Sequence, residues 1–130
     1  MKMRFITLFA VLLFTLCGNV FAIGLGDITI ESALNEPLKA RIALVKVSDL
    51  REAELLVGLA DNAEFEKHKM SRDAFYTTIK FTIDLQNAAG PCILLSSNAV
   101  VKEPSLDFLV SLAWPTGKLV RGYTVLLEKP

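Results

Sequence analysis

The groups that could do chemistry are few and scattered. His68 is the single histidine, set among Glu66, Lys67 and Lys69. Two cysteines complete the soft ligands, and only Cys92 lies beyond the N-terminal apolar run. A transition-metal site needs several converging His, Cys or carboxylate ligands. One histidine and one cysteine do not make one, and scattered carboxylates leave room only for a weak calcium contact. A serine nucleophile needs a neighbouring base, and no GxSxG occurs. The glycines of "GLG", Gly24–Gly26, are too few for a phosphate loop and precede a strand-like run instead of a helix. Asp84 and Asp107 could act as an acid pair, but nothing in the sequence brings them together. Tyr76, Trp114 and Tyr123 could stack on sugar rings, yet no polar cluster accompanies them. The residues therefore point away from an enzyme, a metal, a cofactor and a small-molecule substrate, and towards a domain that binds something.

The front of the chain reads as an export signal. Lys2 and Arg4 precede "FITLFAVLLFTLC", an uncharged apolar run of 13 residues. Val20 and Ala22 then occupy the minus-three and minus-one positions of a cleavage site, so residues 1–22 are expected to be removed between Ala22 and Ile23. The run is short of the roughly 20 residues that span a bilayer, so no membrane span is expected in the mature chain. An uncleaved anchor is the competing reading. A lipoprotein through Cys17 fits less well, because Leu16 stands where a small residue should. Losing Lys2 and Arg4 from 14 basic residues leaves 12 against 14 acidic, a net charge of −2 over residues 23–130. That is no field for nucleic acid. With Cys92 alone there is no internal disulfide. It reads as a small buried hydrophobe, with an intermolecular disulfide or redox role as the alternative.

The elements that must position these groups are strands. Alternation with a period of two dominates. In "DITIESAL", Ile28, Ile30 and Leu34 share a face. After the break "NEP", Leu38, Ala40, Ile42 and Leu44 point one way and Lys39 and Arg41 the other. "VSDLREA" reads as a loop with one helical turn capped by Ser48 or Asp49. Leu55, Val57 and Leu59 then point inward. Asp61 lies three residues before Glu64, a capping spacing that predicts a short helix over 61–68 around Phe65. A second turn from Ser71 carries Phe75. "TTIKFTIDL" alternates cleanly, with Ile79, Phe81, Ile83 and Leu85 inward. "CILLSS" is a strand and "NAVVKEP" an irregular or edge segment. About seven short strands, near ten residues apart, predict an immunoglobulin-like antiparallel β-sandwich with one short helical insertion near 61–76, as a single domain over 23–130.

The last two strands flank "WPTG". Pro115 at the second turn position and Gly117 at the fourth fit a three-residue hairpin loop with a bulge at the glycine. That geometry pairs Trp114 with Lys118, Leu112 with Val120, Val110 with Gly122, Phe108 with Thr124 and Leu106 with Leu126. Leu106, Phe108, Val110, Leu112, Trp114, Val120 and Leu126 then form the core face. The opposite face carries Leu109, Ala113, Leu119, Tyr123, Val125 and Leu127, with Asp107, Ser111 and Arg121 between them. It is too apolar for a solvated sheet face. Either the short helix and the Phe65 and Phe75 segment cover it, or the hairpin is central in its sheet, or Leu109, Leu119, Arg121, Tyr123 and Val125 form a docking surface. A one-residue slip would exchange the second strand's faces.

Two stretches resemble a known family. "GLGDITIESALNEPLKARIAL" resembles the opening of the mature N-terminal domain of the FimV/HubP family, with Ser32, Leu34, Asn35, Pro37, Leu38 and Ala40 at matching spacing. "EPSLDFLVSLAWPTGKLVRGYTVLLEKP" resembles its closing motif, with Phe108, Leu109, Trp114, Pro115, Gly117, Arg121, Tyr123, Thr124, Leu126 and Leu127 as matches. Pro37, Phe108, Trp114, Pro115 and Gly117 are the structural positions of these motifs. Gly122 replaces an acidic residue usual in the family, Ser105 a common aromatic, and Glu128–Pro130 an acid-Pro-Pro ending. The resemblance implies a periplasmic, non-enzymatic interaction domain. It also implies a role in type IV pilus assembly, twitching motility or cell-pole organisation, with periplasmic pilus-assembly or envelope proteins as partners. The family's peptidoglycan-binding LysM module, membrane helix and cytoplasmic repeats have no counterpart in these residues, so their activities do not carry over. From a different class, the competing reading is a pilus-chaperone-like or adhesin-like sandwich that binds subunits or glycans.

Overall fold

The computed structural model describes residues 22–130; the expected export signal lies almost wholly outside them. Seven strands form two antiparallel sheets. One holds β1 (Gly24–Ile30), β2 (Pro37–Val45), β5 (Cys92–Val100) and β4 (Lys80–Asp84) in the order 1-2-5-4. The other holds β3 (Leu56–Leu59), β6 (Ser105–Trp114) and β7 (Gly117–Leu126) in the order 3-6-7. This is the strand order of a constant-type immunoglobulin sandwich. Neither β2 nor β6 carries a cysteine, so no bridge ties the sheets, and Cys92 is free and buried. Apolar packing must hold them.

The alternation in β2 is borne out residue by residue. Leu38, Ala40, Ile42 and Leu44 are buried, while Lys39, Ala43 and Val45 are exposed. They meet Ile93 and Leu95 of β5 and the inner row of β6, which comprises Leu106, Phe108, Val110 and Leu112. Fully burying a side chain of this size stabilises by about 1.5–3 kcal/mol. Each sheet's edge lies near an edge of the other, β1 by β7 and β3 by β4.

β5 runs further than its sequence suggests, through Asn98 to Val100. It does so by a bulge, the register slipping between Pro37↔Val100 and Lys39↔Ser96. At the slip a serine replaces the ladder. The Leu38 N–H donates to Ser97 Oγ at 2.8 Å, and that hydroxyl donates to the Ala99 carbonyl at 2.7 Å. Ser97→Ala should therefore leave a buried N–H unpaired and cost about 1–3 kcal/mol. Urea unfolding followed by circular dichroism would show it, and a loss of under about 0.5 kcal/mol would refute this role for the hydroxyl.

The helix α1 spans Asn62–Lys67, with Asp61 as its cap. Glu64 N donates to Asp61 Oδ1 at 3.0 Å, which satisfies one orphan donor of the first turn. Phe65 is its one buried residue. His68 ends the helix, its ring exposed. The turn expected under Ser48 or Asp49 comes later, as a 3₁₀ turn at Glu52–Glu54 entered from Arg51, whose N–H donates to Glu54 Oε1 at 3.0 Å. That bond holds the Glu54 carboxyl below its usual range. The Glu54 carboxylate thus caps the Arg51 N–H from within the turn, while Glu54 N donates to the Arg51 carbonyl at 2.9 Å.

Candidate functional site

The closing hairpin is where the sequence placed a docking surface, and its register differs from the expected one. Trp114 pairs with Gly117, Leu112 with Leu119, Val110 with Arg121, Phe108 with Tyr123 and Leu106 with Val125. The loop has two residues, Pro115 and Thr116, and Gly117 does not take a positive φ. The glycine is required for another reason. A Cβ there would lie 2.8 Å from the Trp114 ring. Trp114 folds over the turn, half-buried, and packs against the core cluster from the end of the inner row of β6.

The slip exchanges the faces of β7. Tyr123 and Val125 become core, 4% and 2% exposed, while Leu126 is 72% exposed on the outside, where the expected register had put it inside. Val120 also moves outward. Leu109 does face out from the sandwich, yet it is only 1% exposed. The helix α1 packs against β6 and Phe65 joins the same apolar cluster, so the helical insertion covers it. Gly122 beside it leaves room: a Cβ there would meet Leu109 Cδ2 at 3.3 Å. Of the five expected docking residues, Leu109, Tyr123 and Val125 are thus buried, and Leu119 and Arg121 remain partly accessible.

Arg121 and Tyr123 form a clamp. Both point towards the first sheet from one row of β7. Arg121 Nη1 donates to the Leu25 carbonyl at 2.6 Å and to the Gly26 carbonyl at 2.8 Å. Tyr123 donates to the same Gly26 carbonyl at 2.7 Å. The guanidinium lies 4.9 Å from the centre of the tyrosine ring, a cation–π arrangement. The acceptors come from the segment where the β1–β2 register shifts, between Leu25 and Ile28, which turns β1 carbonyls outward. Gly26 is needed there, because a Cβ would come within 3.0 Å of Ala43 Cβ. The "GLG" that fails as a phosphate loop is a close-packed edge strand, and glycine inside an alternating run was the available signal. Burial pushes the Tyr123 hydroxyl up to about 12, against a smaller opposing pull from Arg121. Arg121→Ala should cost about 1.5–3 kcal/mol, the range for hydrogen bonds to a charged group, and fray β1 first. Hydrogen exchange of the β1 amides would show it; unchanged β1 protection would refute the clamp.

The residues weighed for chemistry stay apart. Asp84 lies at the end of β4, where it accepts from Gln86 N and Asn87 Nδ2, and Asp107 lies on β6 in the other sheet, accepting from the Thr124 hydroxyl. Among the described residues, no group of three or more His, Cys, Asp or Glu could hold a metal ion. Burial raises the Cys92 thiol pKa, with Asp84 adding to the shift. Tyr76, Trp114 and Tyr123 form no common platform: Tyr76 and Tyr123 pack on either side of Phe108, at centroid distances of 5.5 and 6.3 Å. Among the described residues the large hydrophobics that remain exposed are Val45, Leu56, Val100 and Leu126, and Leu56 lies at the hairpin end of the second sheet. Leu56, 70% exposed, borders a shallow groove with Ala53, Ala113, Trp114 and Pro115. Leu56 is the outward residue of a four-residue strand, a position the alternation marks but cannot rank.

Comparison with known proteins converges on one family. A family model described as the FimV N-terminal domain, an Ig-like domain, matches residues 23–130. The motility hub protein FimV of Pseudomonas aeruginosa PAO1 is 43% identical over 113 residues, which cover 87% of this chain. The same protein of strain UCBPP-PA14 matches equally. The matched region is only 12% of those relatives' length. No solved structure gives a significant match. The two-sheet sandwich, its two end motifs and this match over residues 23–130 agree: the chain belongs to the FimV N-terminal domain family.

Proposed function

We propose that this chain acts as a periplasmic, non-enzymatic protein-interaction domain that serves type IV pilus assembly, twitching motility or organisation of the cell pole. Its partners are periplasmic parts of pilus-assembly or envelope proteins. The observation that carries this reading is the match of the whole domain to the FimV N-terminal type, in relatives named as motility hubs. The apolar run ahead of Ala22 supports export. Among the described residues no helix is long and apolar enough to cross a membrane. Docking does not use the face centred on Tyr123, which is core. It uses surfaces that stay accessible, such as the apolar end around Leu56, Trp114 and Pro115.

The test is crosslinking in living cells from a photoreactive residue placed at Leu56, followed by identification of the captured proteins. Pilus-assembly or polar envelope proteins are the expected catch. A catch free of them, together with unchanged twitching when the domain is deleted, overturns the reading.

A further inference from the structure

β3 is too short for its neighbour. β6 has ten residues, and β3 pairs only with Val110–Ala113. Ala60 adds one more rung, its N–H donating to the Leu109 carbonyl at 2.9 Å, and the chain then turns away into α1. At the next rung a side chain stands in for a strand: the Asp107 N–H donates to the Tyr76 hydroxyl at 2.9 Å. Bonding alternates along a strand. Residues 107 and 109 bond on the side away from β7, whereas Pro104 accepts from Leu127 N on the β7 side. The Ser105 N–H and C=O and the Asp107 C=O therefore point to the open side.

That open side faces two adjoining clefts of about 350 and 320 Å³, which share Asp73, Tyr76 and Ser105. Phe75, Tyr76, Leu106 and Val100 give them an apolar lining. Asp73, Glu103 and Asp107 supply carboxylates. Lys69 and Lys102 also reach the clefts, yet no ion pair within 4.0 Å involves any of these three acids among the described residues. Tyr76 is 6% exposed; its hydroxyl accepts from Asp107 N and has no acceptor of its own among the described residues, which leaves its hydrogen for a ligand. Burial raises its pKa, the bond from Asp107 N opposes this, and the charges of Asp73, Asp107 and Glu103 add to the rise. The charges that act on the hydroxyl are all acidic.

We propose that this edge binds an extended basic peptide, laid beside Ser105–Asp107 as an added strand, with a lysine or arginine side chain on the Phe75–Tyr76 lining facing Asp73, Glu103 and Asp107. Backbone bonds along the open rungs supply affinity, and the carboxylates select the cation. The inference rests on the reading of the chain as an interaction domain and names the chemistry of a partner segment.

The test is fluorescence anisotropy of the full 130-residue chain with a labelled peptide of about eight residues alternating valine with lysine, long enough for one strand. It should bind, and more weakly as salt rises. Glu103 has no hydrogen bond to lose, so Glu103→Gln should keep the melting temperature and weaken binding several-fold, and Glu103→Lys about tenfold or more, the scale of one charge-assisted bond. N-methylating alternate peptide amides should abolish binding while keeping the charge. No binding, equal binding of a valine–glutamate peptide, or indifference to both Glu103 variants and N-methylation overturns the assignment. If the peptide fails while crosslinking from Leu56 still captures pilus or envelope proteins, this edge falls and the interaction reading stands. If the peptide binds, crosslinking captures none and twitching is unchanged when the domain is deleted, the edge stands and the pilus reading falls.

Discussion

Tyr123→Glu is expected to abolish the cooperative unfolding transition, while Tyr123→Phe should cost only about 1 kcal/mol. The ring is 4% exposed, packed 6.3 Å from Phe108 and covered by Arg121. Removing a buried aromatic costs about 3–5 kcal/mol. Placing a carboxylate in the same site adds several more for desolvation. Against a total stability of about 5–15 kcal/mol the domain should not survive. In Tyr123→Phe the ring stays, and the Gly26 carbonyl keeps its bond from Arg121 at 2.8 Å, so no acceptor is orphaned. Circular dichroism in urea separates these outcomes, and a well-folded Tyr123→Glu protein would refute the observed register.

The same hydroxyl gives a pH signature. Its folded pKa is raised to about 12 from the ordinary value near 10. The folded state therefore prefers the neutral phenol. That contribution is fully present below about pH 10 and is lost as pH rises towards 12. Tyr123→Phe should remove this part of the alkaline instability, seen as a shallower loss of stability between pH 10 and 12. An unchanged alkaline limb would argue against the buried phenol.

The second large effect is expected at Phe65→Ala, a loss of about 3–5 kcal/mol. Phe65 is 1% exposed and is the one buried side chain of a helix too short to be stable alone. Arg72 lies over its ring at 5.9 Å while donating to the Ala60 carbonyl. Truncation should release α1, uncover Leu109 and increase binding of an apolar dye. Asp61→Ala, which removes only the cap, should cost about 1 kcal/mol and leave Leu109 covered. If Phe65→Ala cost less than Asp61→Ala, the helix would not be the cover of this face.

Much of this was legible from local pattern. Leu38 to Leu44 alternate because one face of β2 is buried and the other wet, and a period of two reports that directly. Asp61 marks α1 because its carboxylate meets a free N–H three residues on. Other features depend on contacts that sequence neighbours do not report. The cover over Leu109 arrives from a helix more than 40 residues earlier in the chain. The open edge beside Ser105 exists because β3 stops at Leu59, a length that only its pairing with β6 reveals.

The residues by themselves determined a sandwich of short antiparallel strands, one capped helix, and a hairpin turning at Pro115. Tertiary structure decided which face of β7 is core. The local turn chemistry around Pro115 accommodates two loop lengths, and each pairs a different row of β7 with the same row of β6. The choice was made by distant groups: the carbonyls of Leu25 and Gly26, close to 100 residues away, which Arg121 and Tyr123 reach only in the observed register. A period of two records that a strand has two faces. Which face lies inward is set by the total burial and bonding of the closed sandwich, and that is not a local quantity.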